Sequence, residues 1–271
     1  IIMGGKGLSE SERLSLLGIY GGKYRLLTNV PVAIASSLGA SMIPSIVMSR
    51  IKGEGEEVKR KIYMTIKFNM LLAIPCSFGM LSLASPLMRL VFGDGRSLTA
   101  MLLMIGSPAV IFFSLSTVTN AVLQGIDEMR KSVTHSAVSL IIHVGLVYIM
   151  LEKLNMGVYG LVIGNVSFAL VVCALNWISI GQRLKYKQEI KTTFILPAIS
   201  AALMGVAARL IYTGMCLILP LSGGMLNAVS VFVTVIISAA LYGMLLVKTG
   251  AVNRDELKDM PMGRVFLRFM R

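Results

Sequence analysis

Apolar residues in this chain come in blocks of about 20 to 26, separated by short polar stretches. At ~1.5 Å per helical residue each block can cross a hydrocarbon core of roughly 30 Å. The pattern predicts seven transmembrane helices: Leu26–Met48, Ile62–Ala84, Leu98–Leu123, Val133–Leu151, Val158–Ile180, Phe194–Leu219 and Leu226–Val247. The fold class is therefore all-α, a polytopic transmembrane helix bundle. Residues 1–25 read as a polar, Gly-rich approach segment on the extracytoplasmic side, and residues 248–271 as a cytoplasmic tail.

Composition agrees with that pattern. Hydrophobic residues make up 55% of the chain and charged residues 14%, against about 25% charged in a soluble domain. All acidic residues fall between the apolar blocks, so no span carries an Asp or Glu. A net charge of +13 can mark a nucleic-acid partner, but here the cations flank the spans and topology accounts for them; no nucleic acid is expected. The loops 49–61, 124–132 and 181–193, with the tail, hold seventeen Lys and Arg, whereas the alternate loops hold only Arg89, Arg96 and Lys153. That asymmetry predicts a multi-pass protein of the cytoplasmic membrane with its carboxyl terminus inside. The chain starts Ile-Ile-Met-Gly with no signal-peptide pattern, which reads as a fragment of a longer protein.

Span interiors carry devices suited to a packed, moving bundle. Pro31, Pro44 and Pro75 free backbone carbonyls and read as hinge or kink positions. Gly157, Gly160 and Gly164 share a helical stripe, with Gly160 and Gly164 forming a GxxxG pair that admits a close neighbour. A static bundle uses small residues as well, so packing without motion remains an open reading. In the tail Arg264, Arg268 and Arg271 recur at i, i+4, i+7 among Val265, Phe266, Phe269 and Met270. That spacing predicts a short basic amphipathic helix on anionic membrane lipids.

Two cations fall inside spans, where ionisable groups are functional candidates. Lys67 follows Lys61 by six residues, about 9 Å into the span, and either snorkels to the interface or faces the bundle. Arg209 lies fifteen residues past Phe194, roughly 22 Å deep, and should face protein, water or a ligand. Arg25 stands at the outer mouth of the first span, as an interfacial anchor or a substrate contact. His135 and His143 lie two turns apart with no carboxylate or cysteine close in sequence, so they read as satisfied interior histidines. Cys76, Cys173 and Cys216 are isolated in apolar blocks and read as small apolar side chains. The chain has no Walker A, HExxH or GxSxG sequence, and neither enzyme chemistry, a metal nor a cofactor is expected. Interior cations without interior anions suit an anionic solute such as a pyrophosphate head group.

Several stretches carry a family resemblance: LTNVPVAIASSLGASMIPS at 27–45, AIPCSFGML at 73–81 followed by SPLMRLVFG at 85–93, NAVLQGIDEMR at 120–130 and GVYGLVIGN at 157–165. In this order they resemble the polysaccharide-transporter branch of the multidrug/oligosaccharidyl-lipid/polysaccharide exporter superfamily, most like the stage V sporulation protein B group. The resemblance implies two six-helix bundles with an added helix pair. Residues 26–180 would hold five spans of the second bundle and residues 181–247 the added pair, with the amino-terminal bundle as a missing partner. It implies flipping of undecaprenyl-linked polysaccharide or peptidoglycan precursors by alternating access. Lipid II flippases of this superfamily place basic residues toward a central cavity, which Arg25 resembles, and use the added pair as a lipid-tail groove, with Arg209 at its edge. Arg25, Lys67 and Arg209 are thus the expected contacts to a lipid-linked saccharide. A cation-coupled multidrug exporter of the same fold, or a non-transporting membrane scaffold, remains open at this stage.

Overall fold

The computed structural model describes residues 9–219 and 223–252, so the basic pattern at Arg264, Arg268 and Arg271 lies outside the described residues. Seven helical segments in it are long and apolar enough to cross a membrane, and no strand occurs among the described residues.

The first span is longer than its apolar block. Ser9 caps α1 (Glu10–Gly18): the Glu12 backbone N–H donates to Ser9 Oγ at 3.3 Å, and the Ser9 N–H donates to Glu12 Oε2 at 2.9 Å. This reciprocal capping box starts a helix, so residues 10–25 of the polar, Gly-rich approach segment are helical. A π-helical turn, Ile19–Tyr24, accommodates Gly21 and Gly22 and leads without interruption into α2 (Arg25–Ile51). The continuous rod Glu10–Ile51 has 42 residues, about 63 Å, and extends beyond one hydrocarbon thickness.

A tight corner at Gly53, φ +74°, turns the chain into α3 (Gly55–Ser82). Glu56 and Glu57 sit in its first turn, where the helix dipole favours anions. Next comes an unexpected short helix, α4 (Ala84–Phe92), closed by Gly93 in the left-handed region. The Gly93 and Asp94 N–H groups donate back to Arg89 O and Met88 O, as a left-handed cap requires.

The expected single span 98–123 is two helices, α5 (Ser97–Gly106) and α6 (Pro108–Gly125). Pro108 has no N–H to continue the ladder. Met104 O instead accepts the Ser107 hydroxyl at 3.0 Å, and Ser107 O accepts Ser77 Oγ of α3 at 2.8 Å. Then come α7 (Met129–Tyr148), a π turn Ile149–Lys153, α8 (Val158–Leu184), a π turn Lys191–Ile195, α9 (Leu196–Ile218) and α10 (Gly223–Lys248).

α2 packs on α3 and α6, α6 on α8, and α8 on α7. α9 joins this body through α3, and α10 packs on α9 and α4. The main core runs through Ile62, Ile66, Met70, Val118 and Leu123, with a second core at the other end around Tyr24, Met88 and Leu102. α7 shows Val133, Leu140, Ile141 and Val144 on its outside, and α10 shows Phe232, Ile236 and Met244. Apolar faces of that extent suit acyl chains.

Candidate functional site

The exposed side of α2 is split. Arg25, Asn29, Ser36 and Ala40, spaced i, i+4, i+11, i+15, are all exposed and form one polar, small-residue flank. Leu26, Val30, Ile34 and Met48 form a largely apolar exposed flank beside it, where the Ser37 and Ser41 hydroxyls turn back onto Ala33 O at 3.1 Å and Leu38 O at 2.8 Å. The opposite face, including Thr28, Pro31, Ala35 and Gly39, is buried. A Cβ at Gly39 would stand 3.3 Å from Ala121 Cβ, so α2 lies close against α6 there.

The end of α2 that carries Arg25 is held firmly. Tyr24 is fully buried, its hydroxyl donates to Gly106 O at 3.4 Å, and Asn165 Nδ2 donates to it at 3.4 Å. Lys23 Nζ donates to Asp94 Oδ2 at 2.5 Å, and Arg96 grips the same carboxylate through Nε at 3.0 Å and Nη2 at 2.6 Å. Arg96, joined by Lys23, holds the Asp94 carboxyl well below the usual carboxylate range. Arg25 itself has no carboxylate partner among the described residues.

Lys67 is 1% exposed. Its ammonium donates to Tyr63 Oη at 3.1 Å and lies 5.4 Å from that ring's centroid. Tyr63 in turn lies 3.4 Å from Glu189 Oε2 and from Thr192 Oγ1, at the start of the segment leading into α9. Lys67 therefore faces the seam between α3 and α9, not the open flank of α2.

Arg209 is exposed on α9. One turn on, the Tyr212 hydroxyl donates to Asn227 Oδ1 of α10 at 2.8 Å, and Asn227 Nδ2 donates to Pro86 O of α4 at 3.1 Å. Arg89 and Arg209 both stand near enough to the Tyr212 hydroxyl to act on it electrostatically. Neither arginine has a carboxylate partner among the described residues. The three cations read from the sequence thus occupy three separate places, and Arg209 shares with Arg89 the surroundings of the Tyr212 hydroxyl.

Among the proposed hinges, Pro31 is buried, Pro44 exposed and Pro75 half-buried, all inside continuous helices. Gly164 faces Val147 and His143 of α7, and Gly160 faces Met150. Gly157 instead ends the preceding turn at φ +54° with open space around it. His143 Nδ1 bonds Gly164 O at 2.8 Å, and His135 bridges Asn176 at 2.8 Å and Ser179 at 3.2 Å, so both histidines are satisfied.

The alignment of Asn29 and Ser36 with Arg25 was open to sequence reading through their spacing. The shared proximity of Arg89 and Arg209 to Tyr212 was not, because those residues are far apart in the chain.

Seven helices long and apolar enough to cross a membrane, with wide apolar outer faces, define a polytopic membrane helix bundle. The chain belongs to the lipid II flippase MurJ family, whose model matches residues 25–217. It is 27% identical to Lipid II flippase MurJ of Bacillus subtilis over 90% of this chain and 44% of that protein. It is 25% identical to Probable lipid II flippase MurJ of Bdellovibrio bacteriovorus over 80% of this chain and 42% of that protein. The resemblance to Stage V sporulation protein B is also present, at 22% identity to the Bacillus subtilis protein over 89% of this chain and 45% of that one. The Bacillus subtilis MurJ matches a similar share at higher identity. The chain spans less than half the length of these curated relatives.

Proposed function

We propose that the intact protein moves a polyprenyl-linked glycan precursor across the cytoplasmic membrane, with the polar flank of α2 lining the path of the head group. The observation that carries this reading is the exposed alignment of Arg25, Asn29 and Ser36 along one flank of α2, beside the exposed apolar side chains of Leu26, Val30 and Ile34. A cation with no carboxylate partner is free to meet a phosphate, and hydroxyl and amide groups along the same line suit a saccharide. Membership of the lipid II flippase family supports the same substrate class.

In this reading Arg209 and Arg89 meet a phosphate at the edge of the α9–α10 pair, and Lys67 is a buried positioning cation midway along α3. The basic loop ends face the cytoplasm, which places Lys248 inside and Arg89 outside. Pro31, Pro44 and Pro75 serve as the points at which the helices flex.

The test is transbilayer movement of a fluorescent polyprenyl-pyrophosphate saccharide in proteoliposomes holding the intact protein. Loss of movement in Arg25→Ala, with partial recovery in Arg25→Lys, is the expected result. Equal movement by Arg25→Ala and the parent would exclude the assigned role.

A further inference from the structure

The linker between α8 and α9 folds back over the first turns of α3. Lys185, Tyr186 and Lys187 from the linker, with Glu56, Lys59, Arg60 and Tyr63 from α3, line a shallow cleft, open to the surface, of about 330 Å³. Four cations and one carboxylate line it. Glu56 is engaged by Lys59 at 2.8 Å, and Arg60 reaches Glu57 at 3.2 Å. Lys185 and Lys187 have no carboxylate partner among the described residues. Like charges gathered in a concave surface raise the local positive potential and attract an anion.

The cleft is preorganised from both walls. On the linker side, Lys185 holds φ +49° at the C-cap of α8, a conformation that favours glycine or asparagine. The Tyr186 hydroxyl is bonded to Gln188, and buried Gln188 Nε2 donates to buried Thr193 Oγ1 at 2.7 Å. The linker is thus fixed with both lysines turned into the same opening as Arg60. On the α3 side, the buried Lys67 ammonium donates to Tyr63 Oη at 3.1 Å. The Tyr63 hydroxyl in turn donates to Glu189 Oε2 at 3.4 Å, which ties this wall to the linker.

We propose that this cleft binds a phosphate group, with Arg60, Lys185 and Lys187 supplying the charge. At ~30 Å³ per water molecule its volume equals roughly ten waters, enough for a phosphate with part of its substituent. The cleft opens at the ends of membrane-crossing helices, so a phosphorylated lipid head group and a soluble phosphate both reach it. The occupant bridges α3 to the linker and thereby ties the α9–α10 pair to the rest of the bundle. The site is separate from the α2 flank and stands or falls independently of the transport reading.

Amide hydrogen exchange on the intact protein tests it without any transport readout. One arm compares nanodiscs of pure phosphatidylcholine with discs containing phosphatidic acid. The other adds inorganic phosphate to pure phosphatidylcholine discs at constant ionic strength, against chloride. At a ligand level about ten times the dissociation constant, exchange in residues 56–63 and 185–193 slows about tenfold. Slowing in the first arm identifies a lipid source, and slowing in the second a soluble one. A Lys185→Gln/Lys187→Gln variant loses the slowing, while Lys191→Gln, outside the cleft, keeps it. Unchanged exchange in both arms, or slowing undiminished in the double variant, overturns the proposal. Exchange in the core of α6 confirms that each variant is folded.

Discussion

The ammonium of Lys23 rests 2.5 Å from the Asp94 carboxylate, joining the first helix to the corner between α4 and α5. Lys23 lies two residues before Arg25, so this contact fixes the end of the helix from which the proposed substrate cation projects. Asp94→Asn removes the negative charge shared by Lys23 and Arg96 and puts a donor amide in place of one carboxylate oxygen. The expected outcome is a thermal midpoint lower by about 3 °C and faster exchange at residues 19–25.

The same pair sets a pH dependence. Asp94 is depressed in the folded state, so its contribution is fully present above the ordinary carboxylate pKa and is lost as pH falls through its lowered folded value. Between pH 4 and pH 8, around the ~3.9 of a free Asp, the stability difference between Asp94→Asn and the parent stays nearly constant. It shrinks only in stronger acid. Thermal unfolding across pH, parent against variant, checks this.

Gly106 faces the ring of Tyr24 so closely that any Cβ there overlaps the ring and its hydroxyl. Tyr24 is fully buried and cannot yield without shifting the helix. Gly106→Ala should destabilise by about 1–3 kcal/mol, the usual effect of overpacking. Tyr24→Leu in the same chain should recover part of that loss, measured by chemical denaturation in detergent.

Asn176 joins three helices. Its amide donates to Asn120 Oδ1 at 2.8 Å and Thr119 Oγ1 at 3.0 Å, and its oxygen bonds His135 Nδ1 at 2.8 Å. At ~0.6 kcal/mol per interhelical bond within a membrane, Asn176→Ala should cost about 2 kcal/mol. His135→Ala alone should cost less, because two of the three bonds remain.

The helical spans were legible because each is a long apolar block, and their number follows from hydropathy alone. Their ends were less so. Ser9 and Glu12 form a capping box that carries the helix back through the Gly-rich approach segment. The break at Ser107–Pro108 falls inside an unbroken apolar stretch, where hydropathy draws one span and only Pro108 marks the interruption. Lys67 was legible as an intramembrane cation but not as a buried one, since its tyrosine partner and the Thr192 segment meet only after α9 docks on α3. Arg89 looked like an ordinary loop charge until α10 brought Asn227 to α4.

The most direct test of the α2 path is cysteine accessibility in the intact protein with its native cysteines replaced. Asn29→Cys and Ser36→Cys should react with a membrane-impermeant maleimide, and a polyprenyl-pyrophosphate saccharide should block that reaction. Val30→Cys and Ile34→Cys, on the neighbouring apolar flank, should stay unlabelled. Equal labelling of the two flanks, or labelling at Asn29 and Ser36 indifferent to the saccharide lipid, would contradict the assignment of this helix to the substrate path.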